Sequence, residues 1–190
     1  MNLPLELRTE RLLLRPFTPA DVEDVLEYIN RPEWAEFQVN IPPVPVSRKY
    51  AEELLAIFSN PAAWVKTGIF RIFAIVFEGK VIGEIVLNLR QHDDRESERV
   101  ELAYTLAYQH WGKGLTTEAA RAVIDWAFQN YNFNRIYAWS DPRNIGSWRV
   151  MEKLGMKREG LLRSHMKWNG EFRDQVYYGI LRSEWKDHNP

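Results

Sequence analysis

The sequence predicts an α/β protein of the α+β kind, with a mixed sheet flanked by helices. Three observations lead there. Strand-like and helical segments alternate as strand, two helices, three strands, helix, strand, helix, two strands, about seven strands in all. The apolar period changes from two residues to about 3.6 at Leu115. The helix that follows lies between two strands, which implies a parallel pair joined by a right-handed crossover.

Each element has a local cause. Leu12-Leu13-Leu14 lies between Arg11 and Arg15, and Pro16 ends it as a short strand. Thr18 can cap a helix, Pro19 suits its first position, and Asp21 favours its positive end. Val22, Val25, Leu26 and Ile29 then make one apolar face, and Arg31-Pro32 closes the helix. Ile41-Pro42-Pro43-Val44-Pro45 reads as a loop, because its prolines remove donors and fix φ. Ser47 caps a second helix with Ala51, Leu54, Leu55 and Phe58 on one face, stopped at Asn60-Pro61.

Phe70–Phe77 and Val81–Leu89 form a hairpin around Gly79, and a charged loop from His92 to Glu98 leads to a strand over Arg99–Leu106. Ala120, Val123, Ile124, Ala127 and Tyr131 mark the helix of Leu115–Tyr131. A strand at Arg135–Trp139, a short helix at Asn144–Leu154 ending on Gly155, and strands near Lys157–Trp168 and Gln175–Leu181 complete the order.

The chain has 190 residues, 45% apolar and 27% charged, which suits one soluble domain spanning 1–190. A net charge of -1 gives no global field for nucleic acid or an anionic membrane. The absence of cysteine removes disulfides, Cys-ligated zinc and a Cys nucleophile together. No secretory leader pattern opens the sequence, and no apolar run approaches the ~20 residues of a membrane helix. These features read as a cytoplasmic protein, either monomer or homodimer. The eight tryptophans serve either a ring-rich core or an aromatic channel.

The chemistry concentrates at Gln109-His110-Trp111-Gly112-Lys113-Gly114-Leu115-Thr116-Thr117, between a strand and a helix start. Glycines at 112 and 114 let the backbone turn tightly and bring N–H groups close to a ligand. The helix start adds free donors and partial positive charge, a site for phosphate. Lys113, Thr116 and Thr117 could add donors, and a purely structural turn would use the same glycines. A P-loop would need glycine where Ala107 stands, and a dinucleotide fingerprint a third glycine where Thr117 stands.

The remaining pattern, Gln-x-x-Gly-x-Gly, resembles the pyrophosphate-binding motif of the GNAT superfamily of N-acetyltransferases. The resemblance extends to Arg8–Pro16, to Glu101–Leu106, to Asn144-Ile145-Gly146-Ser147 and to Glu152-Lys153-Leu154-Gly155-Met156. It is nearest to the branch of ribosomal-protein-alanine N-terminal acetyltransferases. Met156 stands where Phe is usual there and Ala103 where Gly is frequent.

The resemblance implies a mixed, mostly antiparallel sheet in which the strands ending at Leu106 and near Trp139 are parallel neighbours that splay apart. Acetyl-CoA would lie in the opening, its pantetheine pairing with backbone near Thr105 and Leu106. Its phosphates would meet Gln109, Trp111, Gly112, Lys113, Gly114, Leu115, Thr116 and Thr117, with Asn144 and Ser147 nearby.

Acetyl transfer needs a neutral amine, a donor for the oxyanion and a partner for the leaving thiolate. Glu101, on the strand leading to the loop, is the favoured general base, acting through water, with Glu84 as competitor. Either carboxylate could instead serve an ordinary ion pair. Ser147 is the favoured thiolate partner. Asn144 could cap its helix, contact the cofactor, or both. Trp34, Phe37, Glu84 and Tyr104 are candidates on the acceptor side. The four histidines show no metal spacing, and no metal is expected. Arg143, Arg149, Lys153, Lys157 and Arg158 read as a solvated face that could touch the adenosine phosphate.

The expected partners are acetyl-CoA and an amine acceptor, in first place a ribosomal-protein N-terminus, with no nucleic acid and no membrane. A small-molecule amine acceptor and a non-catalytic acyl-CoA-binding module are the alternatives.

Overall fold

The computed structural model describes residues 6–39, 41–89, 98–168 and 170–188. Eight strands form one sheet in the order β1-β2-β3-β4-β5-β6-β8-β7. They are β1 (Leu7–Arg8), β2 (Leu13–Arg15), β3 (Ile69–Phe77), β4 (Lys80–Asn88), β5 (Arg99–Leu106), β6 (Arg135–Ser140), β7 (Lys157–Trp168) and β8 (Glu171–Leu181). All neighbouring pairs are antiparallel except β5 and β6. The eighth strand, relative to the seven expected, is the two-residue β1. Its pairing with β2 is too short to leave an alternating pattern in the sequence.

The helices are α1 (Val22–Ile29), α2 (Pro32–Ala35), α3 (Arg48–Phe58), α4 (Pro61–Thr67), α5 (Leu115–Asn130), α6 (Ile145–Lys153) and α7 (Arg182–His188). Three of them depart from expectation. Pro32 ends α1 but opens α2, since its fixed φ suits a first helical position. Asn60-Pro61 stops α3 and at once starts α4, with the Asn60 side chain accepting from Ala62 N–H at 3.0 Å. Helix α7 follows β8 with no connecting loop, where no stop had been read. Ser47 caps α3 as expected, accepting from Tyr50 N–H. Asp21 instead closes a 3-10 turn over Pro19–Asp21, accepting from Thr18 N–H at 2.7 Å and pairing with both Nη atoms of Arg15. The His92–Glu98 loop lies outside the described residues up to residue 97.

The two faces of the sheet are distinguished by their contacts. Tyr28 of α1 reaches Glu84 of β4, which sets α1 on the face of Glu84. Phe73 of β3, opposite Ile85, stacks edge-on against Trp126 of α5. Tyr104 of β5, also opposite Ile85, bonds to Ser147 of α6. Helices α5 and α6 therefore cover the other face, because alternate side chains point to opposite sides. Five of the eight tryptophans, at 34, 64, 126, 168 and 185, are buried, so most of them serve packing.

Candidate active site

Strands β5 and β6 pair only at Arg99↔Arg135, Val100↔Ile136 and Glu101↔Tyr137. Beyond Glu101 both strands continue but separate, as a V-shaped opening requires. Strand β5 keeps its other edge on β4 as far as Gly83↔Leu106. Ala107 N–H donates to Ile82 at 2.7 Å, so by alternation Thr105 also faces β4. The backbone groups facing the opening are therefore those of Tyr104 and Leu106. Thr105 enters the site through its side chain, not through the exposed backbone expected of it. The Leu106 carbonyl accepts from Trp111 Nε1 at 2.7 Å.

A cavity of about 390 Å³ fills this opening. One wall is Glu33, Trp34, Phe37 and Gln38, from α2 and the segment after it. Another comprises Asn144, Ser147, Arg149 and Lys153 at α6, and the floor includes Tyr104, Thr105 and Leu106. The glycine loop closes one end with His110, Trp111, Gly112, Gly114, Leu115, Thr116 and Thr117. The α2 wall is firmly held. Trp34 Nε1 donates to Thr105 Oγ1 at 2.7 Å, and Trp168 Nε1 donates to the Gln38 carbonyl at 2.7 Å.

The loop has a geometry that can cradle an anion. Gly112 and Gly114 have φ of +74° and +78°, a region that side chains with a Cβ rarely adopt. Gly114 caps α5, so the first-turn N–H groups at 115, 116 and 117 have no helical carbonyl to meet. A latch fixes the loop. Glu118 accepts from Thr9 Oγ1 at 2.5 Å, from Arg11 N–H at 2.9 Å and from Arg11 Nε at 2.7 Å. Burial pushes the Glu118 carboxyl upward, but these hydrogen bonds together outweigh it and hold the group ionised below its usual range. Arg11 also donates to the Lys113 carbonyl at 3.1 Å. Composition and spacing give no hint of this latch, because its partners are 107 residues apart.

Two expected loop contributors stand back from the cavity. The Gln109 side chain is directed to Glu27 at 3.5 Å, and Lys113 is exposed outside the lining. Of the five basic residues read as a solvated face, Arg149 and Lys153 line the cavity. Arg143 pairs instead with Asp141, and Lys157 with Glu184.

Ser147 and Tyr104 meet across the opening. Tyr104 O–H donates to the Ser147 carbonyl at 2.9 Å, and Ser147 Oγ is 3.3 Å from the Tyr104 hydroxyl. Burial raises the Tyr104 pKa, so it remains a proton donor. Asn144 caps α6 by accepting from Ser147 N–H at 3.1 Å and lines the cavity too. It thereby fixes the backbone that presents the serine.

The two candidate bases differ in setting. Glu101 is buried at the last parallel rung, below the cavity, with Asn88 Nδ2 3.4 Å from Oε1. Glu84 is the cross-strand partner of Thr105; like Glu101 it is buried outside the cavity lining, behind the wall that Trp34 and Thr105 form. Tyr28 O–H donates to its Oε2 at 2.5 Å, and the Tyr28 and Trp34 rings meet edge-on. Burial pushes the Glu84 carboxyl from 4.5 up to about 7, against the smaller opposing effect of the Tyr28 hydrogen bond. Tyr28 went unread as a site residue because it completes an apolar helix face; its polar tip was the available signal. Among the described residues, no group of three or more His, Asp or Glu side chains could hold a metal ion.

Comparison with known proteins agrees with this geometry. The family model described as "Acetyltransferase (GNAT) domain" matches residues 11–157. Protein p20 of Bacillus licheniformis, named an uncharacterized N-acetyltransferase, is 33% identical over 94% of this chain and 97% of its own length. YdaF of Bacillus subtilis (strain 168), provisionally named a ribosomal N-acetyltransferase, is 32% identical over 59% of this chain and 60% of its own. Spermidine N(1)-acetyltransferase of Escherichia coli (strain K12) is 28% identical over 60% of each chain.

Among solved structures, the GNAT-family acetyltransferase from Bacillus anthracis superimposes with a TM-score of 0.79 at 28% identity, covering 94% of this chain and 99% of that one. The fold is also that of the microcin C7 self-immunity acetyltransferase MccE, solved with acetyl-CoA and AMP (TM-score 0.79, 18% identity, 91% and 93% covered). The family match spans most of the chain, and p20 matches nearly all of it. The chain accordingly belongs to the GNAT family of acetyltransferases, enzymes that draw their acetyl group from acetyl-CoA.

Proposed function

We propose that the protein transfers acetyl from acetyl-CoA to a primary amine, in first place the α-amine of a protein N-terminus such as that of a ribosomal protein. The observation that carries this reading is Glu84, a buried carboxyl brought to about 7 beside the cavity wall. A carboxyl near 7 is poised to take a proton at neutral pH, where an α-amine of pKa about 7.7–8.0 has a far larger neutral fraction than a lysine side chain near 10.4. The name of YdaF points the same way.

In the proposed reaction the neutral amine attacks the thioester carbonyl carbon, forming the C–N bond. The amine proton passes through water to Glu84, which replaces Glu101 as the favoured base. The C–S bond then breaks; the Ser147 O–H, donated to the Tyr104 hydroxyl in the free protein, turns to the thiolate, which takes a proton from solvent. Tyr104, directly bonded to Ser147, positions that hydroxyl. The pyrophosphate lies against the 112–117 backbone, and the pantetheine amides pair with the backbone of Tyr104 and Leu106. Arg149 and Lys153 supply positive charge near the phosphates.

The test is turnover of acetyl-CoA with N-terminal peptides, polyamines, aminoglycosides and amino-acid analogues. Free N-terminal peptides should be acetylated, and the same peptides with blocked α-amines should not. Absence of turnover on every peptide would overturn the α-amine assignment.

A further inference from the structure

The cavity is electrically asymmetric. Its lysine and arginine, Lys153 and Arg149, are on α6, on the side that also carries the glycine loop. At the α2 wall the charged group is Glu33. Its Oε2 is shut off from solvent and meets no hydrogen-bond donor. Among the described residues, no lysine or arginine pairs with it. Its neighbours in the wall, Trp34 and Phe37, are rings. A carboxylate oxygen without a donor and without water is costly to hold. Glu33 also lines the cavity, beside Trp34 and Phe37, whose ring faces favour cations.

We infer that Glu33 receives a second, permanently protonated group of the acceptor, so that the preferred substrate is an amine carrying another ammonium or guanidinium. The reacting amine must be neutral when it attacks, so it cannot be the charge that Glu33 holds in the productive complex. The second cation would sit among Glu33, Trp34 and Phe37, and the amine would extend past Thr105 toward the thioester. The same chemistry could come from a polyamine or from an N-terminal peptide with Lys or Arg near its α-amine.

This inference rests on the amine-acetyltransferase reading above, so the experiment separates the two. Wild type, Glu33→Gln and Glu33→Asp are assayed on two matched series. One pairs spermidine with a monoamine of similar length; the other pairs N-terminal peptides differing by Lys against Met at the second or third residue. Thermal melts of each variant check folding. Wild type should favour the dication in at least one series by roughly 10–100-fold in kcat/KM, mostly through KM, as a charged hydrogen bond implies.

Glu33→Gln should remove that preference, losing far more on the dication than on the monocation while the KM for acetyl-CoA holds, and Glu33→Asp should restore part of it. The series that shows the preference identifies the source of the cation. Equal use of mono- and dications by wild type, or an equal loss on both in Glu33→Gln, overturns the inference while leaving amine acetylation standing. If no amine turns over, the reading it rests on fails instead. Titration of spermidine and the Lys peptide into the CoA-saturated protein then decides the Glu33 site alone, with equal affinity in wild type and Glu33→Gln overturning it.

Discussion

Replacing Glu84 by Gln should lower activity and should shift stability in favour of the variant as pH rises from about 4.5 through 7. In the folded chain the carboxyl titrates at about 7 and in the unfolded chain near 4.5. Below 4.5 it is neutral in both states, and burial imposes no charge penalty. Between 4.5 and 7 the unfolded chain ionises while the folded chain retains its proton, so stability falls as pH rises. Above 7 both are ionised and the penalty is constant. At 1.36 kcal/mol per pKa unit, the full penalty is about 3 kcal/mol.

Glutamine carries no such charge and can still accept from Tyr28, although its NH₂ brings a new donor. That fixed cost is the same at every pH and cancels when two pH values are compared. The Tm difference between Glu84→Gln and wild type should therefore shift in favour of the variant by roughly 5–12 °C between pH 4.5 and 8.5, at about 2–4 °C per kcal/mol for this size. Turnover on the best amine should drop by about 10²–10⁴-fold. The limb of kcat/KM near pH 7 should vanish with it. A Tm difference independent of pH would refute the claim that Glu84 is held near 7. A pH-dependent Tm difference with full activity would leave its titration intact and remove it as the base.

The glycine loop makes a second prediction. Gly112→Val or Gly114→Val forces a β-branched residue to positive φ, at about 1–3 kcal/mol, so CoA binding by calorimetry should weaken several-fold or more while pantetheine binding barely responds. If Ser147 serves the leaving thiolate as proposed, Ser147→Ala should lower kcat with little change in KM for acetyl-CoA. Tyr104→Phe should give a smaller loss, because it acts through the serine. A Cβ at Gly83 would lie 2.2 Å from the Thr105 carbonyl oxygen and 2.9 Å from Leu106 Cα. Both contacts are backbone, so Gly83→Ala should cost about 1–3 kcal/mol in chemical denaturation and raise the KM for acetyl-CoA as β5 shifts.

The sequence was most legible where one local rule decides. The bounds of β5 were read correctly because Arg99–Leu106 alternates between a charged loop and a glycine motif. Helix α5, sixteen residues long, stood out through one apolar face. Capping chemistry placed Ser47 and Asn144 at helix starts. Where a residue does two jobs the reading stopped at the first. Pro32 and Asn60 read locally as terminators, though each also begins the next helix.

In the site, backbone geometry was legible and side-chain partnership was not. The glycine positions and the opening follow from the motif. Trp34, Phe37, Ser147 and Asn144 do line the cavity, but nothing local says that Gln109 and Lys113 stand back from it. Nothing local couples Glu84 to Tyr28, its hydrogen-bond partner 56 residues away.

The opening is also a place where the sheet forgoes hydrogen bonds, and its neighbours show how that loss is contained. A buried backbone group without a partner costs about 1–3 kcal/mol. Full pairing of β5 with β6 would avoid that cost and would leave no room for a substrate. The fold restricts the exposed set instead. Pairing with β4 engages the Thr105 backbone, and Trp111 Nε1–H occupies the Leu106 carbonyl. What remains toward the opening is the pair of groups on Tyr104 and the N–H of Leu106. That is a short donor–acceptor edge of the kind an amide-bearing arm satisfies and a full strand cannot. Trp111 thus does more than pack beside the glycines. By closing the last rung, it ends the ligand-facing edge at the point where the chain turns into the phosphate loop. In the proposed complex the amides and the phosphates of one ligand are met by consecutive stretches of a single backbone.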